Sequence, residues 1–248
     1  MTGKNRVVDT EHARLQSAAL LGMTTGQRRT GLSELIYASI KSAIVTCQIA
    51  PGTELSESQL AARYRVTKAP IRSALSKLGQ EGWIQSVPRQ GHRVANVTLA
   101  DAQEIFSLRR LLEPEAARLA AGRINPAQLR KLNAACSAVD RSDARAIRNI
   151  LLAHQRFHVA IAHAAGNVRL AQSIEQLQNE VIRLLYLIIR WEGFSPSWDK
   201  GQHDLVNALI AKDGEGAAKF AFNGIRRTGE RVLALLEHNP EVLEGGST

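Results

Sequence analysis

The chain has 248 residues, 44% of them hydrophobic and 22% charged, with a formal net charge of +9 and an isoelectric point near 10.1. That composition supports a buried core, the length is comfortable for two domains, and the longest apolar run, residues 184–189, is far too short to span a bilayer. The basic excess points to a polyanionic partner, nucleic acid before a membrane surface. It is also uneven: residues 1–97 hold thirteen of the 32 Lys and Arg but only six of the 23 Asp and Glu. Two cysteines far apart on apolar helical stretches, Cys47 and Cys136, read as buried thiols rather than a bridge. No segment near the N-terminus has the apolar core and cleavage site of a secretory signal, so the expectation is a cytoplasmic protein.

In chain order, residues 1–30 are polar and aperiodic and read as a flexible arm, whose Arg28 and Arg29 either touch phosphates or are simply solvated. Leu35, Ile36, Ile40, Ile44 and Val45 recur at helical spacing until Ile49-Ala50-Pro51-Gly52 stops them. A second helix begins after Ser56, an N-cap residue with Gln59 three positions on, as in a capping box, and runs to about Tyr64. Arg65-Val66-Thr67 is a short turn. A third helix runs over 68–81, with Pro70 in its first turn, where a missing N–H costs nothing, and Gly82 at its end. Residues 83–87 and 92–95 alternate like two strands around a turn at 88–91. Beyond Val97 the pattern is helical throughout, over about 99–122, 126–139, 143–165, 167–191, 199–213 and 214–237. The predicted division is an arm over 1–30, a basic helical head with a hairpin over 31–97, an all-helical unit over 98–240 and a tail over 241–248.

Helix, helix, turn, helix, hairpin is the order of a winged helix-turn-helix. There the helix after the turn enters the major groove and offers its N-terminal residues to base edges. Lys68 and Arg72 lie one turn apart on one face of that helix, opposite the apolar stripe Ile71, Leu75 and Leu78. Arginine reads guanine through a two-pronged contact with O6 and N7, while Thr67 and the helix N–H groups suit a phosphate. Arg89, Gln90 and Gly91 form the tip of the wing. A charged, merely solvated helix is the bland alternative, but between 58 and 93 seven bases, including Arg63, face one acid, Glu81.

The segments Gly52-Thr-Glu-Leu-Ser-Glu-Ser-Gln-Leu-Ala, Val66-Thr-Lys-Ala-Pro-Ile-Arg-Ser-Ala-Leu and Leu78-Gly-Gln-Glu-Gly-Trp-Ile resemble the N-terminal domain of GntR-family transcription regulators. The resemblance covers about 32–97. It implies a homodimer on a palindromic operator, with Ser58, Thr67, Lys68, Ala69, Arg72, Gln90 and Gly91 at the DNA. Serine at 58 and lysine at 68 stand where the family often has arginine, and lysine lacks arginine's planar fork.

The second unit resembles the FadR-type (FCD) effector domain through Leu108-Arg109-Arg110-Leu-Leu-Glu113 with Leu119-Ala-Ala121, and through Phe157-His158 followed by Ala165-Gly-Asn167. A further piece is Asp204-Leu-Val-Asn-Ala-Leu. This implies an antiparallel helical bundle around a cavity that holds a carboxylate metabolite and often a divalent metal such as zinc, nickel or manganese. The expected fold is therefore mostly α, a winged helix-turn-helix followed by an antiparallel all-α bundle. His154 and His158 share a helix face at i, i+4 spacing, as a chelating pair does. The family's third and fourth metal positions fall on Gln202, with His203 one residue off, and on about Gly224, which has no ligand atom. Three readings stand at this point: an incomplete metal set of His154, His158 and His203, histidines bonding an organic effector alongside Arg109, Gln202 and His203, or histidines that simply line a polar cavity. Arg109 either faces the cavity or pairs with Glu113 at the surface. Arg156, Arg183 and Tyr186 are further pocket candidates.

The expected function is a ligand-responsive, sequence-specific DNA-binding repressor released by a small carboxylate. The rival is an architectural DNA-binding protein that answers to no effector. With no nucleophile–base pair and no intact ligand set, the chain does not read as an enzyme.

Overall fold

The computed structural model describes residues 25–88, 91–137, 144–192 and 201–243. The chain forms two compact units, Met1–Asn96 and Val97–Thr248. Both cysteines are buried and unbridged.

In the first unit α1 (Thr25–Val45) packs against α3 (Lys68–Gln80), and α2 (Glu57–Tyr64) lies beside α3. Ile36, Ile40 and Ile44 from α1 meet Ile71, Leu75 and Leu78 from α3 in a core with no solvent access. The i, i+3 and i, i+4 spacing of the two sets is what lets one stripe close over the other. Arg65 takes the left-handed conformation, φ 53°, at the end of α2, which turns the chain sharply into α3. Strands β2 (Ile84–Val87) and β3 (Gly91–Val94) pair antiparallel with Val87 opposite Gly91, and β1 (Glu54–Leu55) adds to the other side of β3.

Three expectations need correction here. The first helix starts at Thr25, so residues 25–30, assigned to a flexible arm, are helical in their backbone. Ser56 occupies the N-cap position of α2, but its side chain makes no capping bond, so the expected capping box with Gln59 is absent. The hairpin is a three-stranded sheet ordered β1-β3-β2, because a two-residue strand leaves no alternation to read.

The second unit holds α4 (Leu99–Ala120), α5 (Pro126–Ser137), α6 (Ala144–Ala164), α7 (Val168–Glu192), α8 (Gln202–Ile210) and α9 (Gly214–His238). Thr98 and Asp101 form a reciprocal capping box that starts α4, and Asp213 caps α9 by accepting from the Gly216 N–H. Helix α9 packs along α4 at close range, since a Cβ at Gly229 would lie 2.9 Å from the Phe106 ring. Leu129, Phe157, Leu209 and Ala217 join α5, α6, α8 and α9 in one apolar core. The chain assigned to a tail from 241 contributes to the fold: a 3-10 turn covers Pro240–Val242, and Val242 and Leu243 are buried. Among the described residues no helix is long and apolar enough to cross a membrane.

Candidate nucleic-acid interface and ligand cavity

Ser58, Arg63, Thr67, Lys68, Ala69 and Arg72 are all exposed. They come from the two ends of α2, the turn and the first turns of α3, so the helix-turn-helix geometry gathers them from a short stretch of sequence. Gly91 has φ +100°, and a Cβ there would press on the Leu55 carbonyl oxygen at 3.0 Å, so the close pairing of β1 with β3 requires glycine. Arg89 and Gln90, together with the side chains of Arg28 and Arg29, lie outside the described residues.

Part of the basic excess is answered within the unit. Lys77 pairs with Glu34 at 2.8 Å, Arg93 with Glu54 at 3.2 Å, and Arg72 with Glu57 at 2.9 Å. Lys41 meets Glu81 at 2.6 Å, where the Tyr37 hydroxyl also donates at 2.7 Å, tying α1 to the end of α3. Arg63, Arg65 and Lys68 carry no ion-pair partner among the described residues. Among the described residues these three cations, on α2, the turn and the start of α3, form a cluster of charge that no acid answers.

In the second unit α4, α6, α7, α8 and α9 surround a cavity of about 270 Å³. Arg109, His154, His158, Gln178 and Gln202 line it, with Arg227, Thr228 and Arg231 from α9. The apolar wall includes Leu151, Phe157, Val181 and Ile182. Beneath the lining is a buried network. Arg109 Nε donates to Glu113 Oε1 at 2.6 Å, Gln178 Nε2 donates to the same oxygen at 2.9 Å, and His158 Nδ1 lies 2.9 Å from Oε2. Arg109 and Glu113 are each 5% exposed. The two alternatives for Arg109 thus merge: it pairs with Glu113 and lines the cavity, and the pair is buried rather than on the surface.

Burial by itself raises the Glu113 carboxyl, but the charges of Arg109 and His158 outweigh it, taking the group from an ordinary 4.5 to about 2. A folded-state value below the unfolded one means that the ionised pair stabilises the unit at pH above 4.5 and fades between about 4.5 and 2. The melting temperature of the whole chain is therefore expected to fall as pH drops through that window. Glu113→Gln should flatten the part of the fall that this carboxylate contributes, and a slope unchanged in that variant would contradict the assignment.

The four family metal positions can be tested on donor chemistry. His154 and His158 face the cavity a turn apart, Gln202 offers only an amide, and Gly224 lines the wall without a ligand atom. His203 is exposed and does not line the cavity, because one residue along a helix is a rotation of about 100°. It is corrected both as a metal ligand and as an effector contact. Among the described residues no three His, Cys, Asp or Glu side chains gather as a metal site, and two imidazoles fall short of zinc's usual three or four ligands. The residues present do not fit the metal that the family resemblance implied.

Arg156 is exposed, and neither Arg183 nor Tyr186 is among the lining residues, so these pocket candidates are also corrected. Gln178, Arg227, Thr228 and Arg231 line the cavity without having been foreseen. A signal existed: Phe220, Ala221, Gly224, Ile225, Thr228 and Arg231 share one face of α9 at i, i+3, i+4 spacing. Gly201, at φ +94°, also lines the wall, and a Cβ there would collide with the Arg227 guanidinium. One buried polar atom in the wall, Gln202 Nε2, has no hydrogen-bond partner among the described residues.

Two family models match the chain. The one described as bacterial regulatory proteins, gntR family, covers residues 32–94, and the FCD domain covers 104–226. The chain is 27% identical over 215 residues to the HTH-type transcriptional repressor RspR of Escherichia coli (strain K12), spanning 85% of this chain and 92% of that protein. It is 28% identical over 197 residues to the HTH-type transcriptional repressor GlaR of the same strain, spanning 74% of this chain and 88% of that one. Among solved structures, E. coli McbR/YncC superposes with a TM-score of 0.71 at 24% identity, covering 84% of this chain and 98% of that chain. A likeness at that identity speaks for the fold.

Proposed function

The chain belongs to the gntR family of bacterial regulatory proteins and carries an FCD domain, and from that premise we propose that it is a cytoplasmic homodimeric repressor, released from a palindromic operator when a small carboxylate enters its cavity. In this reading Lys68 and Arg72 reach base edges in the major groove, with Ser58 and Ala69 beside them. Thr67, Arg63 and the N–H groups at the start of α3 take phosphates, and the wing with Arg89, Gln90 and Gly91 lies alongside. Two relatives carry the word repressor in their names. Leu108 and Leu111, 48% and 69% exposed on α4, suit the self-complementary face of a two-fold dimer.

The observation that carries the effector reading is the charge of the cavity wall. Three arginines and two histidines line it, and none of its lining residues is acidic. Glu113 beneath pairs with Arg109, so Arg227 and Arg231 on α9 carry the rest of the arginine charge of the wall. Such a wall favours an organic anion whose apolar part rests on Leu151, Val181 and Ile182, with no metal needed to bridge it. Binding would act by population shift, favouring an arrangement of the two DNA heads that no longer matches two half-sites about one helical turn apart.

The test is a panel of small mono- and dicarboxylates, each scored with and without EDTA for a thermal shift and for release of bound operator. A hit that survives EDTA supports the proposal. No response from any carboxylate favours the architectural alternative, and a hit that requires a divalent ion overturns the metal-free cavity. Gln202→Leu gives a residue-level check. Its unpartnered buried amide costs stability in the empty protein and is there to be satisfied by the ligand. The variant is expected to melt no lower than the parent without ligand, yet to need roughly tenfold more carboxylate for release. An unchanged dose response would move the ligand away from α8.

A further inference from the structure

The pairing of Glu57 with Arg72 has a shape that fold stability does not call for. Arg72 Nε donates to Glu57 Oε1 at 3.1 Å, and Nη2 donates to Oε2 at 2.9 Å. This is a two-pronged, side-on contact between the first turn of α2 and the second turn of α3. The Arg72 side chain is 69% exposed, and exposed ion pairs contribute little to folding. The same guanidinium is the strongest base-reading candidate on the face described above. Resting on that reading of α3 as the recognition helix, we propose that Glu57 is a specificity-determining positioning residue: it holds Arg72 side-on so that the opposite edge of the guanidinium is presented to guanine.

The donor inventory supports this division of labour. A guanidinium has five N–H bonds in a rigid plane. Glu57 takes the Nε–H and one Nη2–H. The other Nη2–H and an Nη1–H remain, parallel and pointing along the long axis of the side chain. That pair matches guanine O6 and N7. Held this way, Arg72 loses fewer rotamers on binding than a free arginine. The carboxylate also neutralises the guanidinium, so the gain from slipping onto a phosphate is reduced while the directional bonds to a base edge are kept. Glu57 is thus a negative charge retained in a basic face, at a cost to general affinity and a gain in discrimination. Glutamine at 57 keeps the size but offers one acceptor and one donor, so it cannot take both N–H groups.

The experiment uses the full chain and a pool of duplexes with a randomised core, selected in parallel by the parent, Arg72→Ala and Glu57→Gln. The parent should enrich a guanine in each half-site that Arg72→Ala no longer enriches. Glu57→Gln should weaken preference for that same guanine roughly tenfold and leave the other positions unchanged. The melting temperature should be unchanged, while affinity for unselected duplex rises and falls more steeply with salt. A merely structural role for Glu57 would blur every position and lower the melting temperature, and that result overturns the proposal. So does an unchanged guanine preference in Glu57→Gln, or a sharper one, which would make the pair a latch that binding has to break. If Arg72→Ala keeps the preference, the recognition-helix reading fails and takes this proposal with it.

Discussion

Glu113→Ala is expected to destabilise the second unit by about 3–5 kcal/mol, enough to unfold a marginal domain at moderate temperature. The carboxylate accepts from Arg109 and Gln178 and lies against His158, all within the packed centre of α4, α6 and α7. Removing it strands the Arg109 guanidinium, 5% exposed, against the Phe106 ring 5.3 Å away. The cost lies in the orphaned charge rather than in the lost attraction, since desolvation consumes most of what a buried ion pair gains. The double variant Arg109→Met, Glu113→Leu should therefore be more stable than Glu113→Ala alone, even though it removes more interactions. Urea denaturation of the three proteins checks this. A Glu113→Ala midpoint close to the parent's would mean that water reaches and solvates Arg109. The double variant is also expected to keep DNA binding and lose the response to carboxylates.

Arg72→Ala is expected to lose sequence preference by roughly one and a half to four orders of magnitude, with the protein still folded. Each good two-pronged arginine–guanine contact is worth roughly 1–3 kcal/mol of discrimination, and a palindrome uses two. The exposed Arg72 side chain supports no core residue, so melting should be unaffected. Binding to unselected duplex should survive, carried by Arg63, Arg65 and Lys68. A mobility shift on operator and on scrambled duplex at fixed salt gives the ratio directly. An undiminished ratio would move base reading to Lys68 or to the wing.

Much of this molecule was legible from spacing. The stripes Ile36, Ile40, Ile44 and Ile71, Leu75, Leu78 specify both the helices and the faces that meet. A helix-turn-helix gathers its candidate reading residues within a short stretch of sequence, so Ser58, Thr67, Lys68 and Arg72 could be put forward as a set, and the fold leaves all four exposed. The cavity was less legible, because its wall is shared by five helices distant in sequence. His154 and His158 were found from local i, i+4 geometry, whereas Arg227 and Arg231 become lining residues only once α9 packs along α4. His203 was misplaced because one residue along α8 turns a side chain about 100°, which carries it from the cavity to the surface. The charge count of 58–93 overstated the free basic surface, since Glu54 and Glu57 just before that window and Glu34 on α1 return to it through the fold. Capping went astray for a related reason: Ser56 and Gln59 fit the pattern, yet the reciprocal bonds form at Thr98 and Asp101.

In the proposed function one head reads an operator, and one arginine-lined cavity decides whether it stays bound. Fluorescence anisotropy of a labelled, selected operator with the full chain tests it most directly, with a carboxylate hit titrated in at constant ionic strength and in EDTA. The expected result is a fall in operator affinity with carboxylate concentration and no change in affinity for scrambled duplex, both insensitive to EDTA. Operator affinity that no carboxylate alters, or that falls equally for scrambled duplex, would contradict it.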